Sequence, residues 1–180
     1  VAYSDRRNAD ADIYIYNFVN DTEKRITSGG GDQLLTAVSG NLVAYTDFGL
    51  GNADVMLYNI TSGQTTRLTN NPANQRRPAI DGHRVVYEDD RSGDWNIRMI
   101  DLNTMKDAQL TDDLANQVKP VVSGSKILWE DHRSGDAEIY MMDLATNKTT
   151  NISNNPSQDT DPNIDGDIVV FSSDRFSSGD

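Results

Sequence analysis

One apolar-aromatic segment recurs along this 180-residue chain at a fixed spacing of 42 residues, and that period constrains the fold more than any other feature. The copies are VAYSD (Val1 to Asp5), VAYTD (Val43 to Asp47), VVYED (Val85 to Asp89), ILWED (Ile127 to Asp131) and VVFSS (Val169 to Ser173). A second series, DIYIYN, DVMLYN, NIRMID and EIYMMD, begins at Asp12, Asp54, Asn96 and Glu138 with the same spacing. A third, KRIT, TRLT, AQLT and TNIS, closes each unit. No insertion or deletion disturbs the register, so the units must be nearly superimposable, and residues 1–180 read as one array with repeats starting near Val1, Val43, Val85, Ile127 and Val169.

Turn chemistry divides each unit into four strands, here A to D. Strand A is a short piece around Pro78 to Ile80. Asp81-Gly82 follows as a two-residue hairpin signal, and Ser39-Gly40, Ser123-Gly124 and Asp165-Gly166 recur in phase with it. Strand B is RVVYED, the segment Asp90 to Asp94 turns the chain into strand C, NIRMID, and a polar stretch from Leu102 to Lys106 leads to strand D, AQLT. Connections this short suit an antiparallel meander.

Strand C separates the architectures that remain. A sheet with one wet face alternates apolar and polar side chains, whereas Ile13, Tyr14, Ile15 and Tyr16 are all apolar or aromatic, as are Val55 to Tyr58 and Ile139 to Met142. Two-sided burial is what a sheet needs when packed between two others. A β-sandwich does not account for the period, and β-helix coils are shorter and lack four hairpin-linked strands. The expected fold is therefore all-β, a β-propeller of four-stranded antiparallel blades, with four full repeats plus a partial one.

The segments LTNNPANQRRPAIDGHRVVYEDDRSGDWNIRMIDL and ISNNPSQDTDPNIDGDIVVFSSDR resemble the TolB-type WD-like propeller repeat, and the likeness covers essentially the whole chain. Strand A departs from that pattern, with I-D-G or V-S-G where the family often has S-P-D-G. In this respect the chain looks more like propeller repeats of archaeal and bacterial cell-surface proteins. The resemblance implies the fold, and more loosely a role among periplasmic adaptors, surface-layer modules and non-catalytic domains of peptidases. It implies no catalytic residue here.

The net charge of −12, spread along the chain, opposes binding to a nucleic-acid backbone or an anionic lipid surface. No run approaches the ~18 apolar residues of a membrane span. Cysteine is absent, which rules out disulfides and thiolate catalysis and leaves the redox compartment open. The expected function is a non-catalytic structural or protein-interaction module at the cell surface, outside the cell or in the periplasm. The alternative is a propeller accessory to an enzyme, either a peptidase gating domain or a carbohydrate-active lyase.

Candidate chemistry is sparse. The turns Asp89 to Asp94 and Asp131 to Asp136 could hold Ca²⁺ through clustered carboxylates, but recurrence in unit after unit favours structural turns in which the first Asp accepts backbone amides and Arg91 or Arg133 braces a neighbouring strand. Asp161, Asn163 and Asp165 match the opening of a calcium loop. The acidic residue such a loop requires falls on Ser172, and Asp165-Gly166 is in phase with the A-to-B hairpins. These three remain the candidate calcium ligands, with no cofactor the preferred reading. His83 and His132 occupy non-equivalent positions, which argues against a triad or a zinc site. The ladder Tyr3, Tyr45, Tyr87, Trp129 and Phe171 reads as core. Trp95, whose counterparts are Ala11, Ala53 and Ala137, is expected to be exposed in a turn and is the candidate partner contact. Four glycosylation sequons, at Asn20, Asn59, Asn147 and Asn151, suit a surface protein, although so Asn-rich a composition generates about as many by itself.

The first and last copies of strand B would compete for one slot in a closed ring. Two expectations follow. Either the chain is part of a longer propeller of ~6–8 blades, or the surplus edge strands pair with another copy in an oligomer or filament.

Overall fold

The computed structural model describes residues 1–175, and of Leu35 and Thr36 the backbone alone. It is built entirely of strands joined by turns. Sheet 1 has β1 (Ala2–Asn8), β2 (Asp10–Asn17) and β3 (Thr22–Arg25). Sheet 2 runs β4 (Gln33–Ser39), β5 (Leu42–Asp47), β6 (Asp54–Asn59) and β7 (Gln64–Arg67). Sheet 3 runs β8 (Gln75–Asp81), β9 (Arg84–Asp89), β10 (Asn96–Asp101) and β11 (Lys106–Gln109). Sheet 4 runs β12 (Gln117–Ser123), β13 (Lys126–Asp131), β14 (Glu138–Asp143) and β15 (Lys148–Asn151), and sheet 5 pairs β16 (Asp159–Asp165) with β17 (Ile168–Ser173). Every pairing is antiparallel between sequence neighbours, as the short turns require.

Three sheets carry all four strands. The sequence unit begins at strand B, so each sheet takes its strand A from the end of the preceding unit, and four sequence repeats yield three complete sheets flanked by a three-stranded and a two-stranded one.

The core lies between sheets. Ile13 packs with Val43, Tyr45 and Tyr58 between sheets 1 and 2; Ala44 and Val55 pack with Val85 and Tyr87 between sheets 2 and 3. Val86 and Ile97 meet Ile127 and Trp129 between sheets 3 and 4, while Leu128 and Ile139 meet Ile164 and Phe171 between sheets 4 and 5. Tyr45, Tyr87 and Trp129 are buried in these seams, and Tyr3 and Phe171, in the outermost sheets, are half-buried.

Burial peaks in strand B and falls off towards strand D. Strand B is buried on both faces, with Val85 through Asp89 and Ile127 through Asp131 all inaccessible. Strand C is enclosed only in part: in sheet 1 Ile13 and Tyr14 are covered while Ile15 and Tyr16 are half-buried, and in sheets 2 and 3 a half-buried pair precedes the buried Tyr58 and Ile100, which narrows the expectation that all four are enclosed. The fourth strands are exposed. Sheets that converge at their A strands diverge at their D strands, so the wedge between them opens outwards.

Strand A is longer than its apolar residues suggest, spanning Gln75–Asp81 rather than Pro78 to Ile80. A bulge in it sets Arg77 and Pro78 against the single residue Tyr87; Lys119 and Pro120 face Trp129, and Asp161 and Pro162 face Phe171, in the same way. Proline has no amide for the ladder, and a bulge is one of the few interior positions that does not require one.

Candidate functional site

Two polar devices repeat with the fold. At the start of each strand C a carboxylate or amide (Asp12, Asp54, Asn96, Glu138) meets the hydroxyl of Thr27, Thr69, Thr111 or Ser153, whose oxygen also accepts the amide of the second strand C residue at 2.8 to 2.9 Å. This explains the closing L-T motif as a clip on strand C. In the second device, Asp89 accepts the backbone amide and Nε of Arg91 at 3.0 and 2.8 Å, and Asp131 does the same for Arg133 at 3.1 and 2.8 Å. Arg133 then reaches Asp113 at 3.2 Å and lies over the Tyr140 ring. These carboxylates are thus engaged within their own turns.

Burial alone would raise the pKa of Asp131, but the bonds from Arg133 and the Trp129 indole outweigh it and hold the group below the ordinary aspartate range. Trp129 Nε1 donates to Asp131 Oδ2 at 2.9 Å.

The site that departs from simple repetition lies along the A strands. At each bulge the first residue has a left-handed backbone, with φ of 50° at Arg77, 53° at Lys119 and 54° at Asp161. Such a conformation is strained for a residue with a side chain and persists only where the surroundings fix it. Here they do so across the seam: the amide of Arg77 donates to Thr46 Oγ1 at 3.0 Å, that of Lys119 to Glu88 Oε1 at 2.8 Å, and that of Asp161 to Glu130 Oε1 at 2.6 Å. Thr46, Glu88 and Glu130 occupy the same place in strand B and all are buried. At the hairpin end, Ser39, Asp81 and Ser123 accept the amides of Gly82, Gly124 and Gly166 in the next sheet at 3.1, 2.6 and 3.0 Å.

The bulges of sheets 3, 4 and 5 line a common pocket of about 280 Å³, bounded by Arg77, Lys119 and Asp161 together with Pro78, Pro120 and Pro162. Charges are partitioned within it. Glu88 takes Arg76 Nε on Oε2 at 2.7 Å, while the guanidinium of Arg77 stands 3.7 Å from Oε1. The Lys119 ammonium bridges Glu130 at 2.8 Å and Asp161 at 2.6 Å. Its burial favours the neutral amine, but those two carboxylates outweigh this and raise its pKa; bonded to Lys119, Asp161 is correspondingly lowered.

Trp95 borders this region but is half-buried, not exposed as expected. The guanidinium of Arg76 covers its ring at 3.7 Å, and its amide is tied to Asn116 at 3.1 Å. Only the part of the ring that Arg76 leaves open faces solvent. Of the calcium candidates, Asp161 is committed to Lys119, Asn163 accepts the amide of Ile164, and Asp165 pairs with Ile168 in the hairpin. No three His, Asp or Glu side chains converge as a metal-ligand set among the described residues. His83 lies 3.7 Å from Asp101 and His132 lies 3.9 Å from Glu130, in different parts of the fold.

Sequence reasoning missed Glu88 and Glu130 as well as the bulge. The signal was present, since both glutamates sit inside otherwise apolar B strands, at one phase of the period.

Sheets stacked face to face with their first strands together define a β-propeller array, and the fold is TolB-like. The structure resembles TolB of Agrobacterium tumefaciens with a TM-score of 0.71 at 20% identity, over 83% of this chain and 59% of that one. It resembles TolB of Acinetobacter baumannii with a TM-score of 0.65 at 22% identity, over 84% of this chain and 40% of that one. An oligogalacturonate lyase in complex with manganese is similar at a TM-score of 0.66 and 11% identity, over 90% of this chain and 52% of that one. The chain thus spans 59% or less of each of these structures. No family model matches the sequence, and no curated protein matches it.

Proposed function

We propose that the protein is a non-catalytic interaction module working outside the cytoplasm, and that it engages a protein partner through the face onto which the A-strand bulges open. The observation that carries this reading is a contrast within the repeat. The seam contact beneath each bulge is the same in three successive sheets, a buried strand B side chain holding a left-handed amide. The side chains displayed above it are a guanidinium, an ammonium and a carboxylate, at Arg77, Lys119 and Asp161. A scaffold that repeats while its displayed chemistry varies is suited to recognition. The TolB-like fold supports the location and the adaptor role.

The loops at the same end add contact area. The turn after β5 exposes Phe48 and Leu50, and is seated on the linker before β4 through Phe48 N to Asp32 O at 3.0 Å. A Cβ on Gly49 would lie 2.1 Å from the carbonyl of Gly30, so only glycine permits that approach. No helix of the described residues is long and apolar enough to cross a membrane.

Photo-crosslinking in the source cells tests the proposal. A photoreactive residue at Phe48 or Lys119 is expected to give one discrete adduct in the extracytoplasmic fraction, and the same residue at Thr66 on the exposed β7 none. Equal labelling from β7, or adducts confined to the cytoplasm, would overturn it.

A further inference from the structure

Resting on the proposed recognition face, we infer that Arg77 is a carboxylate-binding residue, and that the axial pocket takes one acidic group of its ligand between Arg77 and the Lys119–Asp161 pair. Most charges around the pocket are already paired. Both oxygens of Glu88 are occupied, Oε2 by Arg76 at 2.7 Å and Oε1 by the Lys119 amide at 2.8 Å. Arg77 stands 3.7 Å from Oε1, beyond hydrogen-bond length, and its side chain is 55% exposed. Lys119 and Asp161 satisfy one another at 2.6 Å. Among the described residues Arg77 is therefore the pocket-lining charge whose side chain makes no hydrogen bond, its ion pair with Glu88 being a long one, and a planar guanidinium matches a carboxylate in two parallel bonds.

Position reinforces this. The left-handed backbone of Arg77 is fixed by the bond from its amide to Thr46, so the side chain springs from an anchored point, which reduces what binding must order. The prolines that follow each bulge residue, Pro78, Pro120 and Pro162, give the pocket rigid apolar walls that carry no amide donors of their own. Its volume of about 280 Å³ falls just below the range for ligand pockets, ~300 to 1,000 Å³, and suits a single acidic side chain or a small free acid. In a protein of net charge −12, an acidic group needs a local cation of this kind to approach.

The test uses protein with ¹⁵N-labelled arginine and follows the Nε–Hε resonances during titration. The probes are Ac-Ala-Glu-Ala-NH₂, its glutamine counterpart, and succinate as a free acid. The Arg77 resonance is expected to shift saturably with the Glu peptide, and not with the Gln peptide, while that of Arg84, bonded to the Gly124 carbonyl at the opposite hairpin end, stays in place. Saturation by succinate at equal concentration assigns the site to free acids; saturation by the peptide alone assigns it to partner side chains. Arg77→Gln, which keeps the amide bond to Thr46, should abolish the response. Equal shifts with both peptides, or an undiminished response elsewhere in the pocket of R77Q, would overturn the inference. If R77Q still gives the crosslinked adduct at Phe48, the recognition face survives and only the carboxylate assignment falls.

Discussion

The backbone amide of Lys119 in sheet 4 donates to the Oε1 of Glu88 in sheet 3 at 2.8 Å, so that a buried glutamate of one sheet fixes the strained bulge of the next. The same bond joins Asp161 to Glu130 at 2.6 Å. Registration between sheets therefore rests on polar contacts near the axis as well as on the apolar seams further out.

Removing the acceptor should be costly. Glu88→Ala leaves the Lys119 amide without its buried acceptor, and a loss of roughly 1–3 kcal/mol is expected for that unsatisfied donor, since Arg76, partly exposed, can be rehydrated. Glu88→Gln keeps an acceptor for the amide and should lose less. Urea unfolding checks this, with a lowered midpoint and an unchanged slope.

The strand C clip gives a smaller effect. Thr111→Val preserves shape but removes the oxygen that accepts the Ile97 amide at 2.8 Å. About 1–3 kcal/mol of destabilisation is expected for leaving that buried donor unsatisfied. Thermal unfolding of this variant beside Thr104→Val, in an exposed turn, separates the clip from a generic loss of hydroxyl.

Alkaline titration reports on the seam between sheets 1 and 2. Burial, with Asp47 adding and Thr65 opposing, pushes the Tyr45 phenol up to about 12. Its unfolded counterpart ionises near ~10. Because the folded value is the higher one, the stability this group contributes is complete below pH ~10 and is lost as pH rises through about 12. Absorbance of phenolate should appear in two stages, exposed tyrosines first and the buried Tyr45 and Tyr87 together with loss of β-sheet circular dichroism, and Tyr45→Phe should remove part of the late stage.

Acid acts in the opposite sense on Asp131, whose folded-state pKa is held below the ordinary value. Its contribution is present above the unfolded pKa of ~3.9 and disappears as pH falls through the lower folded value. In a Trp95→Phe background, Trp129 fluorescence should stay constant down to about pH 4 and change below it, as its indole loses the carboxylate partner at 2.9 Å.

Much of the fold was legible because exact periodicity leaves few ways to bury both faces of each sheet. The hairpin at Asp81-Gly82, the B strand from Arg84 and the C strand from Asn96 all lie where turn chemistry put them. Strand A was under-read because Gln75, Arg76 and Arg77 look unlike a strand, and the bulge at Arg77 and Pro78 depends on an acceptor 31 residues upstream. Trp95 looked exposed because its turn is polar; what covers it is Arg76, on another strand. The axial pocket was not legible at all, since its walls are spaced one period apart and meet only when the sheets stack.

Amide hydrogen exchange at Lys119 and Asp161 tests the stacking most directly. Both amides sit at bulges, where the ladder within their own sheet offers no partner, so protection can come only from Glu88 and Glu130 across the seams. Slow exchange is expected at both, with Glu88→Ala, which removes the acceptor, speeding Lys119 and leaving Asp161 slow. Fast exchange at both positions in the native protein would contradict it.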